Sequence, residues 1–464
     1  MFYSKFKENL YSKGGYFEFL KIAVPLIIST GAWALQNFIN RIFLAWHSQD
    51  AYAASLPAGL LNFTIISIFM GTITYIDVFI SQYNGNKSYD KIGSAMWQSI
   101  YLGFAAAVMM FVISLFSHPI FNLFGHSPEV VVEEIKYFRI LCWGTLPLFV
   151  SYGLTGFFAG REKTAVVLLV NVIGIIINTI ADYILIFGKL GFPALGIEGA
   201  AISSILSSIV MVLAFSLLIA GNKQHKIYRM GNLKPDFNFM KRLFRFGFPN
   251  GVQFFFDMAA FTFFVIIMGS LGKEIQSATN IVMNINQLIF MPLVGCAITT
   301  SIMVGTYLGA NKPELAQKSV KTALKAVYFY IVIVLALIVI VPNLFISPFA
   351  GGAEKDLVKQ IYPLIVECLR FVAIYTLFDP SNVIFSAAIK GAGDTAFVMK
   401  ALGSLAIFLA GIPIYLAVRV FNFGFFTGWT IFVVYVISLA LVFFLRYRSG
   451  KWKKMRVIEM NIVD

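Results

Sequence analysis

The chain has 464 residues, 59% of them hydrophobic and only 12% charged, with a mean hydropathy of +0.81. Soluble domains carry about 25% charged residues, so this composition excludes an ordinary soluble fold and points to an all-α polytopic membrane protein. A net charge of +14 raises nucleic acid as a partner, but the positions of the charges assign them to membrane topology instead.

A membrane-crossing helix needs about 20 mostly apolar residues. Twelve such stretches are predicted, at 19–46, 53–83, 95–117, 134–159, 165–188, 197–220, 245–270, 276–308, 320–349, 361–390, 396–418 and 424–445. The N-terminal Lys5, Lys7 and Lys13 share a side with Lys87 and Lys91, Arg161 and Lys163, Lys312, Lys318 and Lys321, and Lys390 and Lys400. The basic tail from Arg446 to Arg456 falls on that side too. The opposite loops are poor in Lys and Arg, and the one around 118–134 is acidic, with Glu129, Glu133 and Glu134. Both termini are therefore expected in the cytoplasm, in a multi-pass protein of the plasma (inner) membrane. The expected partner surface is the lipid bilayer and not nucleic acid, and a monomer is expected.

The longest polar stretch follows the sixth span and holds seven Lys and Arg between Asn222 and Arg245. It reads as a solvated, amphipathic connector, with contact to anionic lipid head groups as the alternative. On either side of it the sequence repeats. At one constant offset Pro25 matches Pro249, Tyr83 matches Tyr307 and Gly85 matches Gly309. At a slightly longer one Arg139 matches Arg370, Gly160 matches Gly391 and Thr164 matches Thr395. Six spans per copy is an even number, so both copies enter the membrane from one side and form a parallel internal repeat. The expected domains are an N-terminal lobe 1–221, a cytoplasmic linker 222–244 and a C-terminal lobe 245–464. Two six-helix lobes would flank a central cleft.

Charges inside a span cost roughly 2.5–3.5 kcal/mol each on insertion scales and are functional candidates by default. Five acids fall well within the predicted spans: Asp77, Asp182, Asp257, Glu367 and Asp379. Asp257 lies ~18 Å along the seventh span, and Asp379 ~16 Å from Lys390 at the end of the tenth. Two carboxylates at similar depth in one lobe could hold a proton, bind Na⁺ or attract an organic cation, and exchange one for another. Pro380, directly after Asp379, removes a backbone donor and offers a hinge. On the eighth span Asn280, Asn284 and Gln287 share a face, placed either to line a polar cavity or to bond another helix. Asn178 and Asp182, one turn apart on the fifth span, could join Asn40 and Ser204 in a small oxygen-rich site suited to Na⁺. Glu367 and Arg370 read as an (i, i+3) ion pair, and Asp77 as a carboxylate near the end of its span.

Motifs for other chemistries are missing. There is no GxxxxGK[ST] for ATP, no HExxH and no nucleophile–base constellation, so neither an enzyme nor an ATP-driven pump is expected. No cofactor or structural metal is expected either. Cys142, Cys296 and Cys368 lie in apolar runs and read as packing residues.

Several runs resemble one transporter family along nearly the whole chain. They are SQYNGNK at 81–87, GFFAGREKT at 156–164, NTIADYILIFGKLGFPALGIEGAAISS at 178–204, ATNIVMNINQLIFMPLVGCAITTSIMVGTYLGANKPELA at 278–316 and FSAAIKGAGDT at 385–395. Together they resemble the multidrug and toxic compound extrusion (MATE) family, in NorM-like form. The resemblance implies a secondary antiporter exporting amphipathic, often cationic compounds against inward Na⁺ or H⁺. It places Asp257 and Asp379, with Lys390 eleven residues on, at that family's acidic positions, and Asn178, Asp182 and Ser204 at its fifth- and sixth-span site. Asn40 departs from it, standing where many members carry Asp. Asp257 is matched by Trp33 in the first copy and Asn40 by Phe264 in the second, so coupling is expected from the second-lobe carboxylates. The alternative is a lipid-linked saccharide flippase of similar two-lobe architecture.

Overall fold

The computed structural model describes residues 10–123, 126–220, 224–349 and 355–459. Lys5, Lys7, Asn222 and the side chain of Trp33 lie outside the described set. The described residues are helical, with no strand among them. Ten helices are long and apolar enough to cross a membrane. They are α1 (Tyr16–His47), α2 (Gln49–Gly85), α3 (Tyr89–Leu115), α5 (Thr164–Phe187), α6 (Ile197–Ala220), α7 (Phe237–Gly269), α8 (Lys273–Gly309), α9 (Pro313–Ile340), α11 (Thr395–Val420) and α12 (Phe425–Arg448). Two bent pairs complete twelve: α4 (Pro128–Trp143 and Thr145–Ala159, 46°) and α10 (Val358–Thr376 and Asp379–Ala392, 41°).

The repeat is visible in the element bounds. Shifted by the offset that carries Pro25 onto Pro249, α2 falls on 273–309, the bounds of α8, and the start of α3 falls on the start of α9. The fourth span is the bent one in both copies, and proline is the shared cause. Pro147 and Pro380 each sit early in the second segment and lack the donor that would close the ladder across the break. In that position, within a first turn, proline is tolerated and its fixed φ starts the new segment.

Packing inside the spans relies on small residues and on apolar stripes. A Cβ at Gly174 of α5 would lie 2.7 Å from Met211 Sδ of α6, and one at Gly391 of α10 would lie 2.5 Å from the Ser301 carbonyl of α8. Close backbone approach of this kind replaces the hydrophobic effect as a source of attraction where the solvent is lipid. On α3, Gly103, Ala106, Met110 and Ser114 are buried while Phe104, Val108, Phe111 and Leu115 are exposed. A purely apolar exposed stripe is what a lipid-facing helix presents. The three cysteines are buried and unpaired, as their apolar settings predict.

Two compact units form, and they do not follow the linear division at 221 and 245. One gathers Ile28–Val252 and Gly309–Asn311 with the chain from Val457; the other gathers Gln253–Leu308 and Lys312–Arg456 with the chain up to Ile27. We call them the N-terminal and C-terminal units. The helix predicted from 245 begins at Phe237, because an apolar-window reading discards an amphipathic start. Asp236 caps it, accepting from Phe239 N at 2.9 Å. In the C-terminal unit Tyr307 donates to Glu18 (2.7 and 2.8 Å to its two carboxylate oxygens) and accepts from Gly14 N at 2.9 Å. Thr322 donates to the Gly14 carbonyl at 2.7 Å. In the N-terminal unit Arg242 donates to the Tyr83 hydroxyl at 3.2 Å and pairs with Glu459, while Val457 N donates to Gln82 Oε1 at 2.9 Å. Glu18 and Arg242 occupy matching positions in the two copies, as do Tyr83 and Tyr307, so the same tie is built twice with opposite charge.

The KGAGDT run ends the second segment of α10 with Gly393 at φ 108°, a left-handed cap that favours glycine. Asp394 then accepts from Arg446 Nε at 2.8 Å and from its terminal nitrogen at 2.6 Å, fastening the turn to α12. Removing the Tyr307 hydroxyl (Tyr307→Phe) strips partners from Glu18 and Gly14 and should cost about 1–3 kcal/mol. The effect should be a lower melting temperature in detergent; an unchanged one would contradict this anchoring of the N-terminal segment.

Candidate functional site

Each unit buries acidic side chains. In the N-terminal unit, α5 carries Asn178 and Asp182 on one face, four residues apart, and both are fully buried. Ser203 of α6 donates to Asp182 Oδ1, and Asn178 lies 3.5 Å from the Ser203 hydroxyl. On α1, the Asn40 amide, turned with its nitrogen toward the acid, donates to Asp182 Oδ2 and to Asn178 Oδ1 at 3.0 Å. Two helices thus bring Asn40, Asn178 and Asp182 together, and a third adds Ser203. The serine differs from expectation: Ser204 turns back to its own helix, donating to the Ala200 carbonyl at 3.1 Å. Neighbouring residues on a helix point about 100° apart, and a sequence containing Ser-Ser does not say which hydroxyl faces in. Tyr137 of α4, close enough to feel the Asp182 charge, was not anticipated. Oxygen atoms dominate this cluster, and Asp182 forms no ion pair with Lys or Arg among the described residues. Such a cluster is chemically suited to a proton or a hard cation.

In the C-terminal unit, Asp257 sits midway along α7, accepting from Gln253 Nε2 at 3.4 Å. Lys390, at the end of α10, acts on Asp257 electrostatically and holds its Nζ 5.8 Å from the Phe254 ring centroid, one turn away on α7. Tyr435 of α12 feels the Asp257 charge from another side. Asp379 opens the second segment of α10 at its bend, 6% exposed, at the positive end of that helix. Its charge is felt by Tyr375, one turn earlier. No hydrogen bond joins Asp257 to Asp379 among the described residues. What lies between their neighbours is a run of rings: Tyr435 to Phe432 at 6.0 Å, and Phe432 to Tyr375 at 5.6 Å. Phe264 of α7 stacks on Phe432 at 4.4 Å and meets Trp429 edge-on at 5.0 Å. Beside the rings, Gln253 Oε1, Tyr375 OH, Thr376 Oγ1 and Trp429 Nε1 are buried without a hydrogen-bond partner among the described residues.

Lys390 follows Asp379 by eleven residues, about three helical turns, which puts it on the Asp379 face of α10; its action on Asp257 of α7 had no sequence signal. The hinge position of Pro380 coincides with the α10 bend. Asn280, Asn284 and Gln287 all lie exposed on α8, and Asn284 bonds only back to the Asn280 carbonyl, at 2.8 Å. They do not bond another helix among the described residues. Glu367 and Arg370 form the expected pair at 2.8 Å on an exposed face, and Asp77 stands in the first turn of the end segment of α2.

Twelve spans in two sequence copies, with acids buried among apolar helices, define a duplicated polytopic membrane protein. The MatE family profile matches residues 25–184 and again 249–416, one match per copy. The chain belongs to the MatE family. Among curated relatives, the probable multidrug resistance protein NorM of Brucella suis is 25% identical over 411 residues, covering 87% of this chain and 86% of that protein. The protein of the same name from Thermotoga maritima is 23% identical over 451 residues, covering 96% and 95%. Solved structures share the fold: a MOP superfamily transporter from Pyrococcus furiosus matches with TM-score 0.85 at 20% identity, covering 97% of this chain and 98% of that one. The eukaryotic MATE transporter AtDTX14 matches with TM-score 0.83 at 19% identity, covering 94% and 96%.

The two serines of α6 separate geometry from sequence. Ser203→Ala should cost about 1–3 kcal/mol by removing a donor from a buried carboxylate, and Ser204→Ala within about 0.5 kcal/mol. Thermal melting of both variants measures this; the reverse order would contradict the arrangement around Asp182.

Proposed function

We propose that this protein is a secondary active antiporter that exports amphipathic organic cations in exchange for Na⁺ or H⁺ by alternating access. The observation that carries the proposal is the C-terminal arrangement: Asp257 and Asp379 flank the rings of Tyr435, Phe432 and Tyr375 inside one unit. Ring faces attract a desolvated organic cation, and a carboxylate at either end supplies the charge. A carboxylate buried without a cation is costly. Each acid is therefore stable with a proton, a metal cation or a cationic ligand, and only one of these fits at a time. Entry of the coupling ion displaces the substrate, and its departure restores the site. Lys390 beside Asp257 serves as an internal counter-charge when neither is bound.

The N-terminal cluster of Asn40, Asn178, Asp182 and Ser203 is a second cation site in this reading, with Na⁺ or H⁺ as its occupant. The names of the NorM relatives support export of several compounds. Buried acids favour cations over the pyrophosphate-linked lipids a saccharide flippase would carry. The loop charges support cytoplasmic termini in the plasma membrane.

Dye uptake into inverted vesicles under an imposed Na⁺ or pH gradient tests the proposal. Wild-type protein should move a cationic dye against its gradient, and Asp257→Asn or Asp379→Asn should slow this on the order of tenfold or more while insertion is unchanged. Undiminished transport by both variants would remove the C-terminal site from the mechanism.

A further inference from the structure

Between α6 and α7 lies a basic strip that neither acidic site uses. Its backbone is fixed to α3. Gly93 N donates to the Tyr228 carbonyl at 3.1 Å, Trp97 Nε1 to that of Met230 at 2.8 Å, and the Tyr101 hydroxyl to that of Leu233 at 2.5 Å. Gln98 reaches the Lys234 carbonyl at 3.1 Å and accepts from Asp236 N at 2.9 Å. A Cβ on Gly93 would collide with the Tyr228 carbonyl, so α3 and the strip are pressed together. The connector is a built surface and not a loose tether.

With the backbone engaged inward, the side chains project outward in an ordered pattern. On the first three turns of α7, Phe237, Lys241, Phe244, Arg245 and Phe248 fall within about 100° of arc, and all are exposed. Phe239, Leu243 and Gly247 fill the opposite arc and are buried. Phe244 and Phe248 stack at 5.0 Å. Lys241 and Arg245 form no ion pair among the described residues, and neither does Lys234 just before the helix. Aromatic rings alternate with uncompensated positive charge on a helix that then runs on as a membrane span.

We propose that this ridge is a binding surface for the anionic phospholipid head groups of the leaflet at this end of α7. Aromatic side chains favour the boundary between water and hydrocarbon. Basic groups at that boundary are attracted by anionic lipid. The strip's fixed backbone means that binding orders few additional residues, so the gain appears as stability of the bound protein.

The test uses the full chain purified in detergent and melted with added phosphatidylglycerol, phosphatidylcholine or inorganic phosphate. Phosphatidylglycerol should raise the wild-type midpoint by about 3 °C or more over phosphatidylcholine. The triple variant Lys234→Gln, Lys241→Gln, Arg245→Gln should lose most of that difference while melting like wild type in phosphatidylcholine. A charge-preserving variant, Lys241→Arg with Arg245→Lys, should keep it. An equal rise in wild type and triple variant, no lipid selectivity in wild type, or the same rise with inorganic phosphate alone would each overturn the proposal.

Discussion

A charge placed inside hydrocarbon must be neutralised, and the architecture around these acids follows from that constraint. Insertion scales put the cost of one such carboxylate near roughly 2.5–3.5 kcal/mol, so a chain that keeps several needs a compensating arrangement for each. Asp182 is met by neutral donors from Ser203 and Asn40. Asp257 has Gln253 and the charge of Lys390. Asp379 sits at a helix start, where backbone donors are unsatisfied. In none of the three is the compensation a close ion pair among the described residues, which is the condition that the proposed exchange of one cation for another requires.

Duplication explains the scaffold and divergence explains the sites. The bounds of α2 and α8 and the ties of Tyr83 and Tyr307 recur at matching positions of the two copies, and the fourth span is bent in both. The chemistry does not recur. Where the first copy has Asn40 beside Asp182, the second has Phe264, which joins the ring cluster with Phe432 and Trp429. At the place of Asp182 the second copy has Pro413, between two wide π-helical turns of α11. One copy carries a small oxygen-rich cluster and the other a run of packed rings with acids near its ends.

The span count and the repeat were legible in the sequence because apolar length and ungapped identity are one-dimensional signals. The bends were partly legible: Pro380 announced one, and the other needed Gly144 and Pro147 read together. The start of α7 was missed because amphipathic turns resemble a polar linker when averaged over a window. At the sites, helical periodicity joined Asn178 to Asp182, but it could not choose Ser203 over Ser204. The sequence put Asp257 and Asp379 at similar depth on two helices of one lobe; in the structure a run of rings lies between their neighbours, and Lys390 acts electrostatically on Asp257. Pairing across helices depends on rotation about each helix axis, which a single sequence leaves open.

The central claim is that one set of buried acids serves both the ion and the organic cation. Equilibrium binding of a fluorescent organic cation to the purified protein, titrated at fixed Na⁺ and pH, addresses it without a gradient. Raising Na⁺ or proton concentration should weaken binding competitively, with the apparent Kd rising in step and the number of sites constant. A Kd indifferent to both ions would contradict it.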